Sequence, residues 1–493
     1  MKRVILIAGL LMALALHVLA QKETYWWHLP PQNSLDFNIP LTVKDSQGRE
    51  TKGMPTVGTG ELTNMAGCFT LSSPQGELMM YFDGKTIWDR TGNPMPNGTG
   101  LLGSETSTLS GIVIPYPGSP GKYYAISKKF PVDVEPIGIT YSVVDMSLRN
   151  GLGDVVAGEK NKPLLLQEWS DENIAAVKKT NSDNYWLIHR TMSLDYTEDK
   201  MRFYVWELTP SGFSAPVVYE YDFEHPGDDM STGYLKFSSD GTRFVACVGI
   251  EESVTLCFGD FDPKTGEISN MQVRHDYYTP RIGGIYGMEF SMSGENLFFS
   301  TNNTSNSKLY HITWADLRDP AKRPALVPGI SLTNIQMHSD GRIYGIEWGS
   351  RKLVVIMDPE NGLSVDIRTF NDYLKNSVQL GLATFAATFM DLEGNTDFCM
   401  GFPQKFSTSV SDYLATKQVG YTLWDFGDGS TPVQVMGSGL QEVYHTYIRR
   451  GDYTIAISAY DATDNLLQSN TMKIRVNSCS LPVNHNMSHM GID

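Results

Sequence analysis

The densest group of side chains able to hold a metal or move a proton is Glu224-His225-Pro226-Gly227-Asp228-Asp229, which gathers one imidazole and three carboxylates. A solvated loop has the same composition, and that is the reading adopted for Glu224, His225, Asp228 and Asp229. The chain has no Gly-x-Ser-x-Gly elbow, phosphate-binding loop or His-Glu-x-x-His helix. Neither hydrolase activity nor a cofactor is therefore expected. A second acidic string, Trp424-Asp425-Phe426-Gly427-Asp428-Gly429, invites a calcium reading. Two carboxylates are few for an ion that takes about six to eight oxygens. Alternation instead sends Trp424 and Phe426 into a core, while Gly427 and Gly429 permit a sharp turn that Asp428 can cap. The string is expected to be structural, and no metal is assigned. The tail, 479–493, carries His485, Met487, His489 and Met490, which could take a soft metal, but a frayed end is the reading adopted.

The elements that must position these residues are short antiparallel strands. Gly233 to Asp262 contains three of them: Tyr234, Leu235 and Phe237 run into a Ser239-Asp240-Gly241 turn, a second strand starts at Phe244, and a third returns to Phe261. Such a sheet is apolar on both faces and must stack against copies of itself. Similar first strands recur at Ala66–Leu71, Gly111–Pro115, Ile174–Val177, Tyr286–Phe290, Ile335–His338 and Leu380–Phe389, spaced by roughly 44 to 63 residues. Seven first strands predict a seven-bladed β-propeller over residues 22–392. Strand-like Tyr25-Trp26-Trp27-His28-Leu29 and Leu35-Asp36-Phe37-Asn38 have no first strand before them. Gly381–Phe389 is expected to pair with them, completing the seventh blade and hiding sheet edges.

Residues 1–20 have two basic residues, an apolar run and a small-residue end, the pattern of a cleaved secretory signal peptide. No cysteine lies near the cleavage point, so no lipid anchor is expected. The composition, 41% hydrophobic and 11% aromatic with a formal charge of -16, fits an exported β-rich protein and disfavours nucleic acid and anionic membrane surfaces. Five cysteines are too few to frame the fold. Cys247 and Cys257 lie symmetrically about Glu252 in one hairpin; they form either a disulfide or, if the register slips by one, two buried thiols. Cys68 is expected as a buried thiol.

Several strings, including Tyr25-Trp26-Trp27-His28, Tyr81-Phe82-Asp83-Gly84-Lys85-Thr86-Ile87-Trp88-Asp89-Arg90, Tyr141-Ser142-Val143-Val144-Asp145-Met146 and Gly151-Leu152-Gly153-Asp154, resemble the propeller of PKD-domain proteins of Bacteroidota. The resemblance runs over most of residues 25–390 and implies an association with type IX secretion and gliding motility. After it, Trp424-Asp425-Phe426-Gly427-Asp428-Gly429 with Tyr444-His445-Thr446-Tyr447 and Gly451–Asp461 looks like a PKD domain, an immunoglobulin-like β-sandwich, expected over 397–478. The family's surface-exported members usually end in a sorting domain, for which the short tail leaves no room. The expectation is a non-enzymatic envelope module, in the periplasm or at the outer membrane. It would be an accessory of the type IX secretion or gliding machinery and dock a protein partner through a propeller face. The alternative is a secreted or surface propeller that binds, or less readily cleaves, glycans.

Overall fold

The computed structural model describes residues 22–73, 75–128, 138–165, 172–179, 182–192, 200–223, 233–248, 255–274, 285–301, 307–386, 390–394, 397–410, 419–437, 441–464 and 466–478. Residues 1–21, with the expected signal peptide, the acidic string 224–229 and residues 479–493 lie outside them.

The protein is all-β. Among the described residues up to 370 the strands fall into seven successive sheets. The first is β1 (Trp26–Leu29), β2 (Asn33–Lys44) and β3 (Glu50–Gly58); the second is β4 (Cys68–Ser72), β5 (Leu78–Phe82) and β6 (Ile87–Asp89). The third holds β7 (Gly111–Pro115), β8 (Lys122–Lys128), β9 (Ile139–Asp145), β10 (Asp154–Val155) and β11 (Lys162–Leu165). The fourth holds β12 (Ile174–Lys178), β13 (Tyr185–Met192), β14 (Lys200–Thr209), β15 (Gly212–Phe213) and β16 (Val217–Asp222). The fifth is β17 (Leu235–Phe237), β18 (Arg243–Val248), β19 (Thr255–Asp262) and β20 (Glu267–Arg274). The sixth is β21 (Ile285–Phe290), β22 (Asn296–Thr301), β23 (Leu309–Thr313) and β24 (Ala325–Val327), with a one-turn helix, α1 (Trp314–Arg318), after β23. The seventh is β25 (Asn334–Met337), β26 (Ile343–Ile346), β27 (Leu353–Ile356) and β28 (Ile367–Phe370).

The first strands β4, β7, β12, β17, β21 and β25 fall where the repeats predict them. The turns after them are built alike. Gly241, Gly294 and Gly341 each adopt a positive φ and donate their amide to the carbonyl three residues back, at Ser238, Ser291 and His338. Strands β21, β22, β25, β26 and β27 are buried along their whole length, so both faces of these sheets are covered. Neighbouring sheets supply the cover. One core cluster joins Ile112 and Ile126 of the third sheet to Leu187 and Trp206 of the fourth, Val245 of the fifth and Phe299 of the sixth. Bonds from backbone amides to side-chain hydroxyls tie the first sheet to the second, where Trp26 N donates to Ser72 Oγ at 3.2 Å and His28 N to Thr70 Oγ1 at 2.9 Å. The seventh sheet is fastened to the first: Arg49 pairs with Asp366 at 2.9 Å, and Arg342 and Arg368 donate to the carbonyls of Lys52 and Glu50.

One pairing departs from expectation. From Gly381–Phe389 the described residues form only β29 (Ala383–Thr384), which pairs parallel with Cys68 and Phe69 of β4 and not with the N-terminal strands. The approach sets this choice. Gln379 N donates to Pro30 O and Leu380 N to Met65 O, at 3.0 and 2.9 Å. At Gly381 a Cβ would lie 2.3 Å from Ala66 O, so only glycine lets the chain come this close to the strand entering β4. Strand β1 pairs with β2 instead, Trp27 opposite Leu35.

The remaining strands form a two-sheet sandwich. One sheet orders β30 (Met390–Gly394), β32 (Gln404–Val410) and β35 (Gln441–His445). The other orders β31 (Asp397–Cys399), β37 (Leu466–Asn477), β36 (Gly451–Asp461), β33 (Val419–Asp425) and β34 (Val433–Met436). The sandwich thus begins with β30, at Met390. The expected boundaries, 392 for the end of the first unit and 397 for the start of the second, fall within and just after that strand. Its core contains Phe398, Phe406, Trp424, Phe426, Ile455, Ile457 and Ile474.

Candidate functional site

The acidic string of the sandwich is a structural turn. Trp424 is fully buried and its Nε1 donates to Thr422 Oγ1 at 3.0 Å. Asp425 Oδ1 accepts from Gly427 N at 2.8 Å and Asp428 Oδ1 from Ser430 N at 3.0 Å, the self-capping that turn carboxylates make. The ring of His445 stacks on Phe426, centroids 4.0 Å apart, and its Nε2 lies 2.8 Å from Asp428 Oδ2. Partial burial works against the charge on Asp428, but hydrogen bonds from Ser430 and His445 outweigh it and hold the carboxyl down at about 2. Both carboxylates are thus engaged within the fold. Among the described residues no group of three or more His, Cys, Asp or Glu is placed to hold a metal.

Of the two outcomes expected for Cys247 and Cys257, the structure has the second, two buried thiols, because the register differs by one residue from the one that would pair them. Ala246, not Cys247, stands opposite Cys257, and Cys247 faces Leu256. Shifting a ladder by one residue turns each side chain to the other face. Cys247 accordingly packs with Leu187 and Tyr234 between the sheets on one side, and Cys257 with Phe203 and Phe244 on the other. Both are buried thiols outside any disulfide, as is Cys68, and burial pushes the Cys247 thiol up to about 12. Cys399 is disulfide-bonded. Glu224, His225, Asp228 and Asp229 lie outside the described residues.

A polar site that the spacing of the residues does not announce lies where the first strands converge. A cavity of about 110 Å³ is lined from β7, β12, β17, β21, β25 and β29. On its wall Lys236 Nζ contacts Glu289 Oε2 at 3.0 Å and Gln336 Oε1 at 2.6 Å, with the side chains of Lys236 and Glu289 only 11% and 7% exposed. Glu289 Oε2 also accepts from Met337 N at 3.0 Å. The Lys236 ammonium lies 5.0 Å from the centre of the Tyr234 ring. Thr384 Oγ1, buried on the same wall, has no hydrogen-bond partner. Thr24, Thr384 and Phe385 also line a larger groove of about 500 Å³, which runs past Phe69 and Leu71 to Tyr116, Lys122, Tyr123 and Tyr185. Removing an ion pair from water costs several kcal/mol, so one kept on a cavity wall is a weak device for stability.

A PKD domain matches residues 386–476. The chain therefore carries a PKD domain, and the sandwich from β30 to β37 is that domain. No curated protein matches the chain. Among solved structures, a Lactobacillus plantarum protein is 12% identical over 73% of this chain and 98% of its own, with a TM-score of 0.41. The extracellular domain of a one-component system of B. thetaiotaomicron is 10% identical over 88% of this chain and 55% of its own, with a TM-score of 0.31. The PKD domain of an M14-like peptidase from a Thermoplasmatales archaeon is 17% identical over 18% of this chain and 94% of its own, with a TM-score of 0.16. Among the described residues no helix is long and apolar enough to cross a membrane.

Proposed function

We propose that the seven sheets are the blades of a β-propeller and that the protein is a non-enzymatic interaction module of the cell envelope. It is exported through a cleaved leader and held in the periplasm or at the outer membrane by a protein partner, a component of the type IX secretion or gliding machinery. The observation that carries the interaction role is an apolar group on the PKD sandwich. Met400, Phe402, Tyr444 and Ile448 are 38%, 53%, 66% and 77% exposed. Gly401 N donates to Tyr447 O at 2.9 Å and Lys405 pairs with Tyr444 across the ladder, which keeps the four at one end of the domain. Large apolar side chains grouped in this way are the mark of a docking surface. A propeller face, lined by loops, is the second rigid surface on offer.

Affinity capture from envelope fractions with the full chain tests the role, with a Phe402→Ser, Ile448→Ser double variant as control. A secretion or gliding component should be retained by the native chain and lost with the variant, and deletion of the gene should impair export or surface display of other proteins. If secretion and motility survive deletion and the protein runs as a free monomer in the medium, the docking role is wrong. The proposal includes no intrinsic hydrolase activity, and turnover on a glycan or peptide panel would overturn that part.

A further inference from the structure

The cavity and the groove beside it call for an occupant of their own, separate from any partner on the sandwich. Lys236 and Glu289 neutralise each other across 3.0 Å, so the polar end of the site has no net charge to offer an anion or a cation. It does offer hydrogen bonds of both kinds. The ammonium has three N–H groups, and Glu289 and Gln336 take two of them. Glu289 Oε1 accepts one bond, from Phe290 N at 3.2 Å, and retains a lone pair. The Thr384 hydroxyl is buried without a partner, and an unpaired buried hydroxyl is unfavourable unless something satisfies it. Ser238, Ser239, Ser291 and Ser339 add further hydroxyls around the same cavity. Groups that donate and accept side by side, with no net charge among them, match the hydroxyls of a sugar. The adjoining groove supplies aromatic surface at Tyr116 and Tyr123, both half-buried, and its size is that of an ordinary ligand pocket.

We infer that groove and cavity together bind a neutral oligosaccharide, with one sugar unit hydrogen-bonded to Lys236, Glu289 and Thr384 and the following units lying over Tyr116 and Tyr123. The site binds and does not cleave. Glycoside hydrolysis uses two carboxyl groups flanking the bond, and the carboxylates lining cavity and groove are Glu289, committed to Lys236, and Glu23 in the groove.

Calorimetric titration and saturation-transfer NMR of the full chain test this against pentaoses of glucose in both linkages, xylose, mannose and N-acetylglucosamine, with a polygalacturonate oligomer as the acidic control. At least one neutral pentaose should bind saturably and the acidic oligomer should bind at least about tenfold more weakly. Tyr116→Ala, at the groove, and Thr384→Val, nearly isosteric, should each raise Kd about tenfold or more while circular dichroism stays native and melting does not fall. Absence of binding by every neutral pentaose overturns the inference. So does binding that both variants leave unchanged, or equal affinity for the acidic oligomer. Partner capture through the sandwich is a separate measurement, and either result can fail without the other.

Discussion

Trp27 offers a direct test of how the first and last sheets are joined. It is fully buried, and its ring lies 5.1 Å from Phe37 on β2, 5.8 and 5.7 Å from His338 and Tyr344 of the seventh sheet, and 5.9 Å from Phe385 beyond β29. Its Nε1 donates to Thr24 O at 2.8 Å. Three chain segments far apart in sequence therefore close on one indole. Trp27→Ala removes the ring and leaves a cavity whose walls belong to separate sheets, a change that costs about 3–5 kcal/mol in protein cores. With an unfolding slope of about 3 kcal/mol per molar urea, a loss of about 4 kcal/mol lowers the midpoint by about 1.3 M. Trp348 is the control: it is 37% exposed and its Nε1 donates only to Gln379 Oε1, so Trp348→Ala should cost less than about 1 kcal/mol. Urea titration of the full chain by far-ultraviolet circular dichroism reads both variants, and the PKD transition serves as an internal standard. If Trp27→Ala moves the midpoint no further than Trp348→Ala, the first and seventh sheets are not joined through Trp27.

The other predictions follow from local geometry. Non-reducing peptide mapping should recover Cys68, Cys247 and Cys257 as thiols and Cys399 in a bridge; a link between 247 and 257 would refute the register. Asp428 titrates below its unfolded value of 3.8, so its share of stability is complete above that pH and is lost as pH falls toward about 2. Melting of the PKD domain between pH 5 and 2 should therefore depend less on pH in Asp428→Asn than in the native chain. Gly429 has φ +82 with open space around it, so Gly429→Ala should cost only the left-handed strain of about 1–2 kcal/mol. Gly427, at φ +70 with a Cβ position 2.3 Å from Thr454 O, should cost clearly more, and equal melting temperatures for the two variants would contradict the turn geometry.

The strands were legible in the sequence because their signal is local. Ser238 to Gly241 carries a turn in four residues, and Trp424 with Phe426 declares a buried face in three. Register is less local. The symmetry of Cys247 and Cys257 about Glu252 fixes their pairing only to within one residue, and that one residue decides between a bridge and two thiols on opposite faces. The partner of β29 is decided by Leu380 reaching Met65 and by a glycine that lets two backbones touch, contacts between segments some 315 residues apart, which alternation of apolar residues cannot report. The polar site is the extreme case. Lys236, Glu289 and Gln336 each stand on a first strand of a different sheet, 53 and 100 residues from Lys236, and each reads in isolation as an outward polar residue. They meet because first strands of successive sheets turn the same face toward one cavity. A charge on that face is largely withdrawn from solvent and is stabilised by a counterpart on a neighbouring sheet. In a chain of repeated sheets, then, a lysine at one first strand and a glutamate at the equivalent place on the next is a pairing signal in its own right, visible only after the repeats are aligned on their turns. Ser238-Ser239-Asp240-Gly241 and Ser291-Met292-Ser293-Gly294 supply that alignment here, and it places Lys236 and Glu289 at the same position before the turn.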